Sequence, residues 1–83
     1  MEKINDVNYH IGLFLRKKRI EIGLTGKDLG KLLNISQQQV SRYERGINSI
    51  TIVFLIKYCT VLGIPLKNIM DVVYTNNESD YFQ

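Results

Sequence analysis

Apolar residues recur every three or four positions along most of this chain, which is the spacing of one face of an α-helix. Glycines and hydroxyl residues interrupt the pattern and predict an all-α fold of five helices. We expect the first helix to run from about Val7 to Ile22, with Asn5 or Asp6 as its cap and Gly23 as its stop. Its apolar stripe comprises Val7, Ile11, Phe14, Leu15 and Ile22.

Helices two and three are predicted on either side of a tight turn. Thr25 can cap helix two, while Asp28 lies near the positive end of the helix dipole. Asn34 tolerates the left-handed conformation that ends a helix. Ser36 then opens helix three, and Gln39 completes a capping-box pattern. The apolar face of helix two is expected at Leu29, Leu32 and Leu33.

Helices four and five follow a short loop. Thr51 is the expected cap of helix four and Gly63 its end, and Pro65 suits the first turn of helix five. The inward residues of helix four are expected to be Ile52, Leu55, Ile56, Cys59 and Leu62. Those of helix five are expected to be Leu66, Ile69, Met70 and Val73.

A chain of 83 residues with 45% apolar composition suffices for one compact domain. We divide it into an N-terminal extension (residues 1–6), a domain (residues 7–73) and a polar C-terminal tail (residues 74–83). We expect the tail to be loose from residue 75 onward, with Tyr81 and Phe82 available to tether its end.

The third predicted helix carries the most informative chemistry. Val40 and Tyr43 lie three positions apart on one face, and Gly46 closes the helix. The side chains that project outward are Gln37, Gln38, Ser41, Arg42 and Arg45. Gln can exchange paired hydrogen bonds with an adenine edge, and Arg can donate two parallel bonds to a guanine edge. The pattern therefore favours a helix that reads the DNA major groove.

Charge is distributed unevenly along the chain. The formal net charge is +3, but residues 7–46 hold eight Lys or Arg against three Asp or Glu. This half of the chain is expected to face a polyanion. For the basic run at residues 16–19 taken alone, a solvated surface and a phosphate contact are equally good interpretations.

The ordered set of motifs resembles the lambda-repressor-like, XRE-type helix-turn-helix regulators. It consists of Ile11-Gly12, residues 19–25, Ser36 to Gly46, and Leu62-Gly63. The resemblance covers about residues 10–70, with helices two and three as the helix-turn-helix. More loosely, residues 36–46 are similar to regulators associated with fimbrial operons of enteric bacteria.

The resemblance implies roles for particular side chains. It places base contacts at Gln37, Gln38 and Arg42, and an outward face near the helix start agrees with this. The alternative for the three glutamines is a solvated polar face. The positions assigned to DNA phosphates are Ser36, Gln39, Ser41, Arg45, Lys17 and Lys27. Arg19 and Glu44 fall where the family has a structural ion pair.

Three features depart from the family pattern. Gly26 stands where a glutamine usually clasps a phosphate, so that side-chain contact is lost. Gly30 replaces a small residue, usually Ala, and we expect it to weaken helix two by about 0.5–1 kcal/mol. The loop of residues 47–50 lacks the basic residues that often follow the DNA backbone.

Surplus apolar residues beside helix three suggest a two-fold partner contact. Ile50, Val53 and Phe54 fall outside the predicted inward stripe and form the expected dimer interface. The alternative is that Phe54 packs under the tail or against Tyr81 or Phe82.

We therefore expect a sequence-specific transcriptional regulator that binds double-stranded DNA as a homodimer on a palindromic operator. The simplest mode is repression, of motility or fimbrial genes if the looser resemblance holds. An antitoxin or adaptor module on the same scaffold is the alternative. An enzyme is disfavoured because His10 and Cys59 have no neighbours resembling a catalytic or metal set. We expect no cofactor, metal or small-molecule ligand, no membrane segment or signal peptide, and a cytoplasmic location.

Overall fold

The computed structural model describes the backbone of residues 2–82 and the side chains of residues 7–75. Its helices are α1 (Glu2–Glu21), α2 (Gly26–Leu33), α3 (Gln37–Glu44), α4 (Ile52–Leu62) and α5 (Leu66–Phe82). No strand occurs in residues 2–82. The predicted all-α architecture of five helices is thus confirmed.

The outer helices are longer than predicted. α1 begins at Glu2, so Asn5 and Asp6 lie inside the helix and do not cap it. α5 continues to Phe82, so the backbone predicted to be loose from residue 75 is helical. The polar composition there lowers helix propensity only modestly, and the sequence contains no glycine or proline after Pro65 to stop the helix. The predicted tether at residues 81 and 82 lies outside the described side chains.

Local capping signals define the inner helices. The Thr25 hydroxyl accepts a bond from the Asp28 amide at 3.0 Å, and the Asp28 carboxylate accepts one from the Thr25 amide at 3.0 Å. These backbone and hydroxyl donors stabilise the ionised carboxylate and lower the pKa of Asp28. Asn34 ends α2 with φ 60° and ψ 45°, the left-handed conformation predicted for it. Thr51 caps α4 through the Phe54 amide at 3.1 Å.

The hydrophobic core draws on every helix. Its buried residues are Leu15, Leu29, Leu33, Val40, Leu55, Tyr58, Cys59, Leu62, Ile64 and Ile69. Five residues predicted to face inward are instead exposed: Ile22, Leu32, Ile52, Ile56 and Met70. They lie at the edges of broad apolar stripes, and Ile22 follows the end of α1. Burial raises the pKa of the Cys59 thiol, as expected for a structural cysteine.

No single helix in the described part of the chain is both long and apolar enough to cross a bilayer. Taken together, α4 and residues 66–75 of α5 have the length and apolar composition of a membrane span. The chain bends by 113° between them.

Two glycines allow close approach between helices. A Cβ on Gly12 would lie 2.7 Å from the carbonyl oxygen of Glu44 and would also collide with that of Tyr43. The backbone of α1 therefore rests directly on the end of α3. A Cβ on Gly30 would lie 2.7 Å from the carbonyl oxygen of Ile35, in the turn that leads to α3.

The contact at Gly30 reverses an expectation drawn from helix propensity. Alanine favours an isolated helix by about 0.5–1 kcal/mol over glycine, but here the added methyl group has no space. We expect Gly30→Ala to lower the free energy of unfolding by about 1–3 kcal/mol, because the turn must shift to admit it.

Chemical denaturation of the parent chain and of the Gly30→Ala variant measures this difference in the free energy of unfolding. Gly26→Ala is the matched control, since a Cβ there meets only the Gln37 Cγ atom at an ordinary 3.6 Å. Equal stability of the Gly30→Ala variant and the parent chain would contradict the steric argument.

Candidate nucleic-acid interface

α3 presents a polar face to solvent and an apolar face to the core. Val40 is only 1% exposed, and the ring of Tyr43 packs 5.3 Å from that of Phe54 between centroids. Gln37, Gln38 and Arg42 are exposed. The structure thus brings the three predicted base-contacting side chains onto one accessible helix face.

The turn before α3 sets where this face begins. Ile35 is half-buried against the core, and its amide donates to the Gly30 carbonyl at 2.8 Å. The Ser36 hydroxyl accepts a bond from the Gln39 amide at 3.0 Å. Within the described residues, the Gln39 side chain does not return the reciprocal bond, so half of the predicted capping box forms. The helix start is nonetheless held in place.

Polar side chains flank the proposed base-reading face. Ser36 and Arg45 are exposed, whereas Gln39 and Ser41 are half-buried. The Arg45 Nε atom donates to the Ser41 hydroxyl at 3.1 Å, one turn earlier on α3. This bond directs the Arg45 guanidinium along the helix. Lys27 is exposed in the first turn of α2.

Lys17 lies away from this face. It lines a cavity of about 340 Å³ between α1 and α5, with Phe14 and Val72. Its neighbour Arg16 instead lines a separate cleft of about 260 Å³ beside Ser41 and Arg45. The structure therefore does not bring Lys17 together with the other predicted phosphate-contacting residues, and it brings Arg16 there instead.

The sequence alone assigns no role to Arg16, although its spacing from Gly12 and Arg19 indicates that it faces α3. Arg16 lies four positions after Gly12 and three before Arg19, so all three share one face of α1. Gly12 and Arg19 both contact α3. The phase of α1 relative to α3 thus places Arg16, and not Lys17, next to α3.

A buried ion pair fixes α3 to α1. Arg19 Nε donates to Glu44 Oε2 at 2.7 Å, and Arg19 Nη2 donates to Glu44 Oε1 at 3.0 Å. Arg19 Nη1 also donates to the Leu24 carbonyl oxygen at 2.7 Å. The side chains of Arg19 and Glu44 are only 11% and 5% exposed. The hydrogen bonds to Glu44 and the negative charge of its carboxylate raise the pKa of Arg19.

The hydroxyl of Tyr58 lies beside this pair in the core. Tyr58 is fully buried, and its hydroxyl has no hydrogen-bond partner within the described part of the chain. Burial and the nearby charge of Glu44 raise the pKa of Tyr58. The ring contacts Tyr43 and Phe54 in edge-on packing, with centroids 6.4 and 6.1 Å away. The ring stabilises the core, and the hydroxyl lies close to the Glu44 carboxylate.

We expect Glu44→Gln to lower the free energy of unfolding by about 3–5 kcal/mol, because it leaves the Arg19 charge buried without a counter-charge. Tyr58→Phe, a substitution in the same cluster that leaves both charges in place, should change it by less than about 1 kcal/mol. Urea denaturation of both variants at one pH measures the two effects. A Glu44→Gln variant as stable as the parent would show that the pair does not hold the helices together.

The arrangement of α2, the turn and α3 is the helix-turn-helix geometry that occurs in many DNA-binding transcriptional regulators. Comparison with protein families agrees: a helix-turn-helix family model matches residues 15–69, which is more than half of the chain. The chain belongs to this helix-turn-helix family, of the XRE type with the lambda-repressor-like fold.

Two curated relatives show the same similarity. An uncharacterized HTH-type transcriptional regulator of Sinorhizobium medicae (strain WSM419) is 31% identical over 66 residues, covering 80% of this chain and 48% of the relative. An uncharacterized transcriptional regulator in the ATPase CF(0) region of Rhodospirillum rubrum is 32% identical over 63 residues, covering 76% of this chain and 58% of that protein. The chain thus spans about half the length of these relatives.

Solved structures share the fold. The clp gene regulator ClgR from Corynebacterium glutamicum superposes with a TM-score of 0.77 at 23% identity, over 83% of this chain and 88% of that chain. The restriction-modification controller protein C.AhdI from Aeromonas hydrophila superposes with a TM-score of 0.70 at 28% identity. That match covers 77% of this chain and 96% of the controller protein.

Proposed function

We propose that this protein is a sequence-specific regulator of transcription that inserts α3 into the major groove of double-stranded DNA. The observation that carries the proposal is the exposed face formed by Gln37, Gln38 and Arg42, mounted on the buried Val40. Amide and guanidinium groups can read base edges by paired hydrogen bonds. The Arg19–Glu44 pair supports this reading by fixing the orientation of the helix.

Phosphate contacts from flanking residues supply affinity without sequence preference. Ser36, Gln39, Ser41 and Arg45 border the base-reading face on α3, and Lys27 lies at the start of α2. Their positions suit contacts with the DNA backbone on either side of the groove. Binding is therefore expected to weaken as the salt concentration rises.

We further propose that two copies bind a palindromic operator. An apolar surface in the first turns of α4, here called the α4 patch, consists of Ile52, Val53 and Ile56, with exposures of 60, 75 and 48%. Of the predicted interface residues, Val53 lies in this patch, whereas Ile50 and Phe54 are half-buried against the core. The α4 patch begins just after α3, so a two-fold contact there would place two recognition helices side by side.

We propose that the dimer acts in the cytoplasm as a repressor, by occupying promoter DNA. We propose a binding role without enzymatic activity or cofactor. Within the described residues, no group of three or more His, Cys, Asp or Glu side chains is arranged to hold a metal ion. The role at motility or fimbrial genes stays a prediction. The alternative is an antitoxin or adaptor that uses the α4 patch to bind another protein.

We expect Arg42→Ala and Gln38→Ala each to cost about 1–3 kcal/mol at the preferred DNA site, while binding to random duplexes barely changes. The preferred site is first selected from a random pool at a stated salt concentration. Fluorescence anisotropy then gives both affinities for each variant. Lys67→Ala, an exposed lysine in α5, is the control for loss of one positive charge.

Equal losses on both DNAs would refute base reading by these residues. If selection yields no preferred sequence, the proposed function itself fails, and the antitoxin or adaptor alternative becomes the better interpretation.

We expect the parent chain to sediment as a dimer and Val53→Glu to sediment as a monomer, because a charge at the centre of the α4 patch would be buried in the contact. Met70→Glu is the matched control, since Met70 is an apolar residue of α5 that is 55% exposed. Analytical ultracentrifugation at several concentrations measures the masses. A Val53→Glu variant that remains dimeric would place the interface elsewhere.

A further inference from the structure

A groove runs between α1 and α5 on the surface of the domain. It consists of two adjoining cavities of about 340 Å³ each, which share Phe14 and Val72. The lining of the first cavity is completed by Lys18, Asn68, Asp71 and Thr75, and that of the second by His10, Leu13 and Lys17. Each cavity falls in the range of about 300–1,000 Å³ that is typical of small-molecule sites in proteins.

Two helical stripes that lie far apart in the chain form this groove. Residues 10, 13, 14, 17 and 18 follow the three- and four-residue spacing of one face of α1, and residues 68, 71, 72 and 75 follow it on α5. Gly12 and Arg19, which contact α3, lie on a different face of α1. The groove is therefore separate from the proposed base-reading face, and a molecule bound in it would leave α3 accessible.

The floor of the groove is apolar. Phe14 is half-buried against the core, and Val72 of α5 is half-buried beside it. Leu13 is 41% exposed on the α1 side of the groove. An apolar group that displaces water from these side chains gains free energy. The floor therefore suits the aromatic or aliphatic body of a ligand.

The charges on the two walls differ in sign. Lys17 lies on the α1 wall and Asp71 on the α5 wall, both are exposed, and within residues 7–75 neither has a hydrogen bond or an ion pair. Lys18 is already engaged, because its Nζ atom lies 3.5 Å from Glu21 Oε1 and 5.5 Å from the centroid of the Phe14 ring. An anionic group is favoured beside Lys17 and disfavoured beside Asp71. A charged ligand would therefore have one preferred orientation.

We propose that this groove binds a small organic anion, namely a carboxylate whose aromatic or aliphatic body lies on Phe14 and Val72 and whose charged group pairs with Lys17. Asn68 and Thr75, on the α5 wall, can form hydrogen bonds with a polar group at the other end of the molecule. The proposal goes beyond the proposed function and does not depend on DNA binding.

Nuclear magnetic resonance titration of the full chain with 4-phenylbutyrate tests the proposal. We expect saturable shifts that are largest for the backbone amides of residues 10–18 and 68–75, and much smaller for those of α3. The uncharged analogue 4-phenylbutyramide should bind about three- to fivefold more weakly, because it keeps the apolar body but loses the charge pairing. Shifts that do not saturate, or that map to another face of the protein, would overturn the proposal.

The chain supplies a matched control for Lys17. Arg16 carries the same charge at the preceding position of α1, but it lines the separate cleft beside α3. We expect Lys17→Ala to bind 4-phenylbutyrate about three- to fivefold more weakly and to lose the preference for the acid over the amide. Arg16→Ala should change the affinity by less than about twofold, because it removes a screened charge outside the groove. Equal effects of the two substitutions would refute the pairing with Lys17.

A third substitution tests the space itself. Val72→Trp fills the groove and should abolish the binding of both compounds, whereas Val72→Ile, which adds little volume, should retain it. Thermal unfolding checks that each variant is folded. If Val72→Trp does not fold, the mapped shifts and the Lys17→Ala titration still decide the proposal. A folded Val72→Trp variant with parental affinity would place the binding site elsewhere.

Sedimentation of the parent chain distinguishes a small ligand from a second copy of the chain as the occupant. We expect the same mass with and without saturating 4-phenylbutyrate, because the proposed dimer contact lies on the α4 patch and not in this groove. A dimer that becomes a monomer on addition of the compound would show that a second copy occupies the groove, and would overturn the proposal.

Discussion

The buried pair of Arg19 and Glu44 is the interaction on which the rest of this structure depends. It joins the last turn of α1 to the last turn of α3, and its third donor bonds the loop before α2 at Leu24. Charges buried this deeply are tolerated only with their partner in place. The orientation of α3 is therefore coupled to folding. The same pairing removes Arg19 from the positive surface, so the cleft beside α3 takes its charge from Arg16 and Arg45.

The parts of the fold that follow from local chemistry could be predicted from the sequence. Thr25, Asn34 and Thr51 cap their helices through side chains or backbone conformations that act within four residues. Features that depend on distant contacts could not. Helix propensity assigned Gly30 a cost, whereas the approach of the Ile35 carbonyl makes it necessary. The choice between Arg16 and Lys17 required the phase of α1 relative to α3, which the pattern of α1 alone does not contain and which the contact between Arg19 and Glu44 supplies.

The same limit applies to the surface of α4. The apolar pattern there is nearly continuous, so periodicity alone could not tell which residues face the core. The pattern predicts Phe54 outside the inward stripe, but it joins Tyr43 and Tyr58 in an aromatic cluster. The surplus apolar surface consequently lies on neighbouring positions around Val53. Lys57 links this helix to the last residue of α2 by donating to the Leu33 carbonyl at 3.3 Å. Because Phe54 of α4 packs against Tyr43 of α3, the proposed dimer surface and the proposed base-reading face are held by the same aromatic cluster.

The close contact at Gly12 couples the position of α3 to that of α1. Because the α1 backbone touches the carbonyls of Tyr43 and Glu44, α3 cannot tilt or slide without moving α1 as well. At this contact α1 and α3 therefore move as one rigid unit. If α3 enters the major groove as proposed, any mismatch in groove width or curvature is absorbed by the duplex, whose resistance to bending varies with base composition. Operators would then be discriminated partly by their pliability, at positions that no side chain reaches.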